Sequence, residues 1–251
     1  MSEPPANPVR SAQRLARPEL PRRFYKTASA EPHEGGFALK LDGKLARTPA
    51  RKTLAVADRS VAEALAAEWA EQGARIDPAA MPVTRIANAA IDRVAGEMAA
   101  VRAEIVRYAG TDLICYRAET PQSLIDAEDA AWAPLVRWAR EGLGARLVLA
   151  EGVIAVEQPP EALAAIARAV EPLDVLALAA LHVATTLTGS AVIALAVHNA
   201  RLTAADAWTA AHVSEDWQMA QWGSDEIALA RRAARWREMA AAGLILNRAK
   251  F

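Results

Sequence analysis

A single cysteine, Cys115, serves the whole chain. It leaves no disulfide framework and no thiolate set for a metal, and it fits a reducing compartment. Charge of neither sign prevails: 29 Lys and Arg stand against 30 Asp and Glu, for a formal net charge of −1. That balance gives no basic surplus for nucleic acid and no acidic tail. No Gly-rich phosphate loop is present, because Gly142 and Gly144 do not follow a buried parallel strand and no Gly-Lys-Ser/Thr occurs. Thr188-Gly189-Ser190 is not a nucleophile elbow. Of four histidines, only His212 has a carboxylate three residues on, Glu215. His33, His182 and His198 supply no second such pair, so no metal and no other cofactor is expected. The first residues lack an apolar signal core. Residues 1–21 are rich in Pro, Ala and Arg, with Glu3 and Glu19 among them, and read as a disordered lead-in rather than a transit helix.

What is present is apolar mass: 53% of residues are hydrophobic, and there are seven tryptophans. The chain is organised around residues 173–223. From Leu173 to His198 this stretch is almost wholly small and apolar, and a helix apolar all round must lie inside something. Val175 to Val197 is long enough to span a bilayer. However, His182, Thr185, Thr186, Thr188 and Ser190 interrupt it, and no Lys/Arg cluster flanks it. A buried core helix, bent or broken at Thr188-Gly189-Ser190, is therefore expected, without stable membrane insertion.

The second part begins at Thr203, an N-cap with Asp206 three residues on. Trp208, His212, Glu215, Met219 and Trp222 follow at steps of four, three, four and three, which puts them on one face of a single helix. Trp217 lies on a neighbouring face, and Gly223 stops the helix. Glu215 then sits in an aromatic stripe with Ala211 and Met219 at i±4, so no cation is at hand. It is either a structural ion pair or a functional contact.

Upstream, residues 24–56 carry strand signals. Phe37, Leu39 and Leu41 alternate, Gly35-Gly36 marks a turn, and Asp42-Gly43 is a two-residue hairpin signal. A helix starting at Asp58 or Ser60 presents Ala62, Leu65 and Trp69 to this sheet. The loop at Ile76–Pro82 is the expected boundary between a small unit, 22–83, and a helical one, 84–251. In the latter, Ala87, Ile91, Val94, Met98, Val101, Ile105 and Tyr108 mark one long helix from Thr84 to Gly110. Helices follow from Thr120-Pro121 and from Pro159-Pro160 to Val170, and residues 146–156 admit a small hairpin or irregular chain. Ser224 caps a last helix that buries Leu229, Ala233, Trp236 and Met239 and stops at Gly243. Trp69, Trp132, Trp138 and Trp236 read as core anchors, Cys115 and His182 as buried structural groups, and Asp92 leans the same way. The fold class is α+β: a small, mainly antiparallel β domain with a helix, then a larger all-α bundle.

Nine stretches in order resemble one family. They are Phe24-Tyr25-Lys26; Leu41-Asp42-Gly43-Lys44 with Thr48-Pro49; Glu68-Trp69; Met81-Pro82-Val83-Thr84; Ala90-Ile91-Asp92; Asp112 with Cys115-Tyr116-Arg117; Trp132-Ala133-Pro134-Leu135; Thr188-Gly189-Ser190; and Glu215-Asp216-Trp217-Gln218 with Trp222-Gly223. Across about Arg23 to Leu246 they resemble the assembly chaperones of mitochondria and alphaproteobacteria that handle the alpha subunit of the F-type ATP synthase head. The resemblance implies a non-enzymatic monomer that uses no ATP. It would bind the unassembled alpha subunit, mask the surface later met by the beta subunit, and work in the bacterial cytoplasm or, in a eukaryote, the mitochondrial matrix. The family's acidic position before Trp-Gln is Glu215, whereas the first Glu of its common Glu-Glu pair is Ser214 here. The expected partner-binding residues are Trp208, His212, Glu215, Trp217, Met219 and Trp222. Two other classes compete: a small-molecule enzyme with an interdomain pocket and Glu215 or His212 as acid/base, and a permanent structural subunit of a complex.

Overall fold

The computed structural model describes residues 19–152 and 156–247, so the lead-in up to residue 18 lies outside the described residues. Residues 19–21 are anchored: the Arg75 guanidinium donates to the Leu20 carbonyl at 2.6 Å, and Ile76 N donates to Pro21 O at 2.9 Å.

Strand β1 (Ala28–His33) runs antiparallel to β2 (Gly36–Leu41), with β3 (Lys44–Leu45) and β4 (Ala55–Val56) also antiparallel to β2. The hairpin residues Asp42 and Gly43 both take positive φ, 47° and 77°, as a primed two-residue turn needs. Asp42 adds a further tie, accepting from Thr27 N at 2.8 Å. Helix α1 (Arg59–Ala70) is capped by Asp58 and lays the fully buried Val61, Ala62 and Leu65 towards the sheet. Trp69 is only half-buried and packs against Tyr25, whose hydroxyl donates to the Trp69 carbonyl at 2.6 Å.

The helical part begins with α2 (Pro82–Asp92), a single 3₁₀ turn over Val94–Gly96, and α3 (Met98–Gly110). The single helix expected over 84–110 is thus two. The break falls around Gly96, the poorest helix former in the run, while Ala87, Val94, Val101 and Ile105 stay buried across it. Helix α4 (Gln122–Trp138) ends in a wide turn closed by Gly144 at φ 75°. Strand β5 (Tyr116–Arg117) pairs in parallel with β6 (Ala150–Glu151). Where a local hairpin over 146–156 was one expectation, Ala150 and Glu151 pair instead with a distant strand; residues 153–155 lie outside the described residues.

Helices α5 (Pro160–Val170), α6 (Val175–Thr188), α7 (Ala191–His198), α8 (Ala204–Ala211), α9 (Val213–Trp222) and α10 (Glu226–Leu246) follow among the described residues. The central apolar stretch breaks where expected. Gly189 takes φ 69°, and Ser190 then caps α7 through a bond from Ile193 N at 3.0 Å. Among the described residues no helix is long and apolar enough to cross a membrane. Every residue of α7 from Ala191 to Val197 is fully buried. Asp112, also fully buried, accepts from Ile114 N at 3.3 Å and Val192 N at 3.1 Å, and so caps α7 from outside the helix. Burial pushes its carboxyl up to about 6, against the opposing pull of bonds from Ser190, Val192, Ile114 and Ala191.

Gly243 does not stop α10, which runs on to Leu246. A Cβ at Gly243 would come within 2.5 Å of the Ala204 side chain, so this glycine permits a close crossing between α10 and the start of α8. One continuous buried cluster runs from Tyr25 through α6 and α7 to Leu246.

Candidate partner-binding face

The α8 start forms as its sequence dictates. Thr203 Oγ accepts from Asp206 N at 3.1 Å, and the Asp206 carboxylate accepts from Thr203 N at 3.3 Å, a reciprocal capping box. The helix does not continue to Gly223, however. His212 leaves helical conformation at φ −118°, ψ 16°, and the chain restarts as α9. The single stripe expected from Trp208 to Trp222 is therefore split in two.

The first half turns inward. Trp208 is 8% exposed and His212 6%. Their rings lie 4.0 Å apart, and Trp208 sits 5.9 Å from Trp236. His212 Nδ1–H donates to the Trp208 carbonyl at 2.7 Å. Burial lowers the imidazole's pKa, with Arg232 adding to that effect and Glu215 opposing it.

The second half turns outward. Glu215 is 45% exposed and 3.8 Å from His212 Nε2, so it is not a carboxylate buried in an aromatic stripe. Water solvates it, and the desolvation cost that would demand a partner is absent. Trp217 and Met219 are half-buried, and Trp217 Nε1–H donates to Ser123 Oγ at 3.2 Å. Trp222 is 75% exposed and meets Trp217 edge-on at 5.7 Å.

Residues 220–231 are exposed without interruption. They include Ile227, 63% exposed, and Leu229. Leu229 and Ala233 were expected in the buried stripe of the last helix, but only its second half, from Met239, is buried. The first half reaches beyond the body of the bundle, held by an ion pair from Arg232 to Asp216 on α9 and by Arg235 donating to the Leu187 carbonyl at 2.8 Å. Between α8 and α10 lies an open groove of about 410 Å³, floored by Trp208 and Trp236 and edged by Leu229 and Arg232. Ile227, Leu229 and Trp236 thus join the face that the sequence assigned to 208–222. Their signal was the same apolar spacing, which reads equally well as core.

Among the described residues, no group of three His, Cys, Asp or Glu side chains gathers as a metal site. The protein-family model described as the ATP12 chaperone protein matches residues 22–140. The crystal structure of the Atu1473 protein from Agrobacterium tumefaciens superposes with a TM-score of 0.88 at 45% identity, covering 96% of this chain and 91% of that one. The crystal structure of Atp12 from Paracoccus denitrificans, like a point mutant of the same protein, gives 0.83 at 39% identity, covering 90% and 97%.

The chain belongs to the ATP12 chaperone family. It is an ATP synthase assembly chaperone, as its nine motifs indicate. Most of those motifs are long-range ties in the fold. Glu68 accepts from Val83 N at 2.7 Å and Thr84 N at 2.8 Å, capping α2 from α1. Asp92 accepts from Thr48 Oγ at 2.6 Å and Ala50 N at 3.0 Å, which confirms its structural role. Trp132, 1% exposed, donates to the Ala210 carbonyl at 2.7 Å and ties α4 to α8. Glu128, buried and not singled out from sequence, accepts from Ala118 N and Ser214 Oγ, both at 2.8 Å. A Glu at 214 would set a second carboxylate against it, so Ser214 is the neutral solution to that pairing. In this ATP12-family protein, the motif at 215–222 lies on the candidate face, although Phe24 of the first motif is also 72% exposed.

Proposed function

We propose that this protein holds the unassembled alpha subunit of the F-type ATP synthase head on the face formed by α9 and the first half of α10, and masks the surface later met by the beta subunit. The observation that carries this reading is the apolar exposure of Trp222, Ile227 and Leu229 beside the Trp208–Trp236 groove. A monomeric soluble protein has little reason to keep such a patch in water unless a partner covers it. Aromatic anchors in a groove, ringed by polar groups, are what interfaces use for affinity. Here Glu215 and Arg232 lie beside the aromatic groups and give the patch direction. Trp217, Met219 and Trp222 supply contact area, while Trp208 and His212 act from beneath by shaping the groove floor.

The role is non-catalytic. Glu215 is solvated rather than poised in a cleft, and His212 is buried with Nδ1 committed to a carbonyl. The site of action is the bacterial cytoplasm, in keeping with the alphaproteobacterial relatives.

The test is co-expression with the alpha subunit alone, followed by size exclusion. A soluble one-to-one complex that dissolves on adding beta subunit is expected. Aggregated alpha with no complex overturns the reading. Retention of the protein in the finished assembly would instead make it a structural subunit.

A further inference from the structure

A second site lies away from that face. Between α4, the wide turn after it and the strand-forming segment 146–151 is a cavity of about 400 Å³. Four guanidinium groups line it: Arg117, Arg137, Arg140 and Arg146. Among the described residues Asp129 is the one carboxylate in its wall, and it is taken by Arg117 Nη1 at 2.9 Å. Arg140 pairs with Glu141 at 3.3 Å. Arg137 and Arg146 have no ion-pair partner among the described residues.

Arg117 is the unusual member. It is 8% exposed, fixed on β5 with its guanidinium 5.2 Å from the Trp132 ring centre. Its Nε and Nη2 are shut off from solvent and, among the described residues, have no hydrogen-bond partner. Buried donors are almost always satisfied, and an unpaired one on a charged group is costly. Glu128 lies within electrostatic reach, but its oxygens are used by Ala118 N and Ser214 Oγ. Burial works against the Arg117 charge, and Asp129 and Glu128 work for it. A structural ion pair accounts for Nη1 alone.

We propose that this cavity binds a small phosphate-bearing molecule. Two exposed guanidiniums without ion-pair partners among the described residues, Arg137 and Arg146, with Arg140 beside them, match a dianionic oxyanion, which arginine forks recognise in bidentate fashion. A phosphate monoester carries close to two charges at neutral pH. The remaining wall is apolar, with Val136 and Leu149 in it, and suits an organic body attached to the phosphate. The volume falls in the range of small-molecule pockets. The inference does not depend on which surface meets the alpha subunit.

The experiment is titration calorimetry on the full chain at low ionic strength. Inorganic phosphate and phenyl phosphate are the probes, and benzoate at equal ionic strength is the monoanion control. Saturable binding is expected for one or both phosphates, tighter for phenyl phosphate if the apolar wall takes part and equal if free phosphate is the natural occupant. The double variant Arg137→Gln/Arg146→Gln, exposed at both positions, should keep its melting temperature and bind at least about tenfold more weakly. No saturable heat up to about 10 mM of either phosphate, affinity unchanged in the double variant, or benzoate binding as well as phosphate would each overturn the proposal.

Discussion

Helix α7 and the α9–α10 corner are capped by similar rules but built from different residues, and they end in opposite environments. Both are capped by short polar side chains: Ser190 and Asp112 for α7, Asp225 for α10. Helix α7 is apolar all round from Ala191 to Val197, whereas the corner sets Trp222, Ile227 and Leu229 among charged residues. In α7 every residue from Ala191 to Val197 is buried, whereas twelve consecutive residues, 220–231, are exposed at the corner. Local sequence thus specifies a helix and its ends and marks an all-apolar helix for burial, but an amphipathic stripe does not say what covers it. The covered helix supports the fold. The uncovered one leaves Trp222, Ile227 and Leu229 in solvent, on the face proposed for the partner.

This contrast can be broken from either side. The largest effect is expected in α7: Leu195→Ala removes a fully buried side chain and should cost about 2–5 kcal/mol in chemical denaturation. Next comes Glu128→Ala, which strands Ala118 N and Ser214 Oγ and should cost about 1–3 kcal/mol. If Ser214→Ala proves as costly as Glu128→Ala, the carboxylate is not the centre of that tie.

A pH test sharpens the boundary between the two regions, because His212 sits on it. Its folded pKa lies below the ordinary value of 6.5, chiefly through burial. The unfolded chain therefore binds the proton first. The stability linked to His212 is complete above about 6.5 and is lost as pH falls below that value. His212→Asn can keep a donor towards the Trp208 carbonyl while removing the titration. The stability advantage of the natural protein over this variant should shrink between pH 7.5 and pH 5. A constant difference would mean that His212 is not held neutral by burial. The smallest effect belongs to the corner: Trp222→Ser or Ile227→Ser should move stability by no more than about 0.5 kcal/mol while weakening capture of the alpha subunit.

Where chain chemistry forces a choice, the structure was legible from sequence. Gly189 in the left-handed region followed by a capping Ser190 made the central break readable, and Asp42-Gly43 did the same for the hairpin. The break at His212 was not readable, since no Gly or Pro marks it and the apolar spacing runs through it undisturbed. Where α8 ends, Trp208 packs on His212 and against Trp236 on α10, a tertiary arrangement that no local pattern announces. Gly243 misled in the opposite sense, because a close neighbour rather than a helix end requires it. The strand at Ala150–Glu151 pairs across more than thirty residues of chain with Tyr116–Arg117, beyond the reach of any local pattern. Of the candidate face, Glu215 and Trp222 were placed by spacing and motif, and both lie on the surface. Trp208 and His212 shared that spacing and are buried. Amphipathic periodicity marks an apolar stripe but says nothing of whether a bundle or a partner covers it.

The most direct measurement is hydrogen–deuterium exchange on the chaperone, free and bound to the alpha subunit. The account predicts new protection concentrated between 213 and 236, with α6 and α7 equally slow in both states. Protection on the β1–β4 sheet or α3, with the α9–α10 corner unchanged, would contradict it.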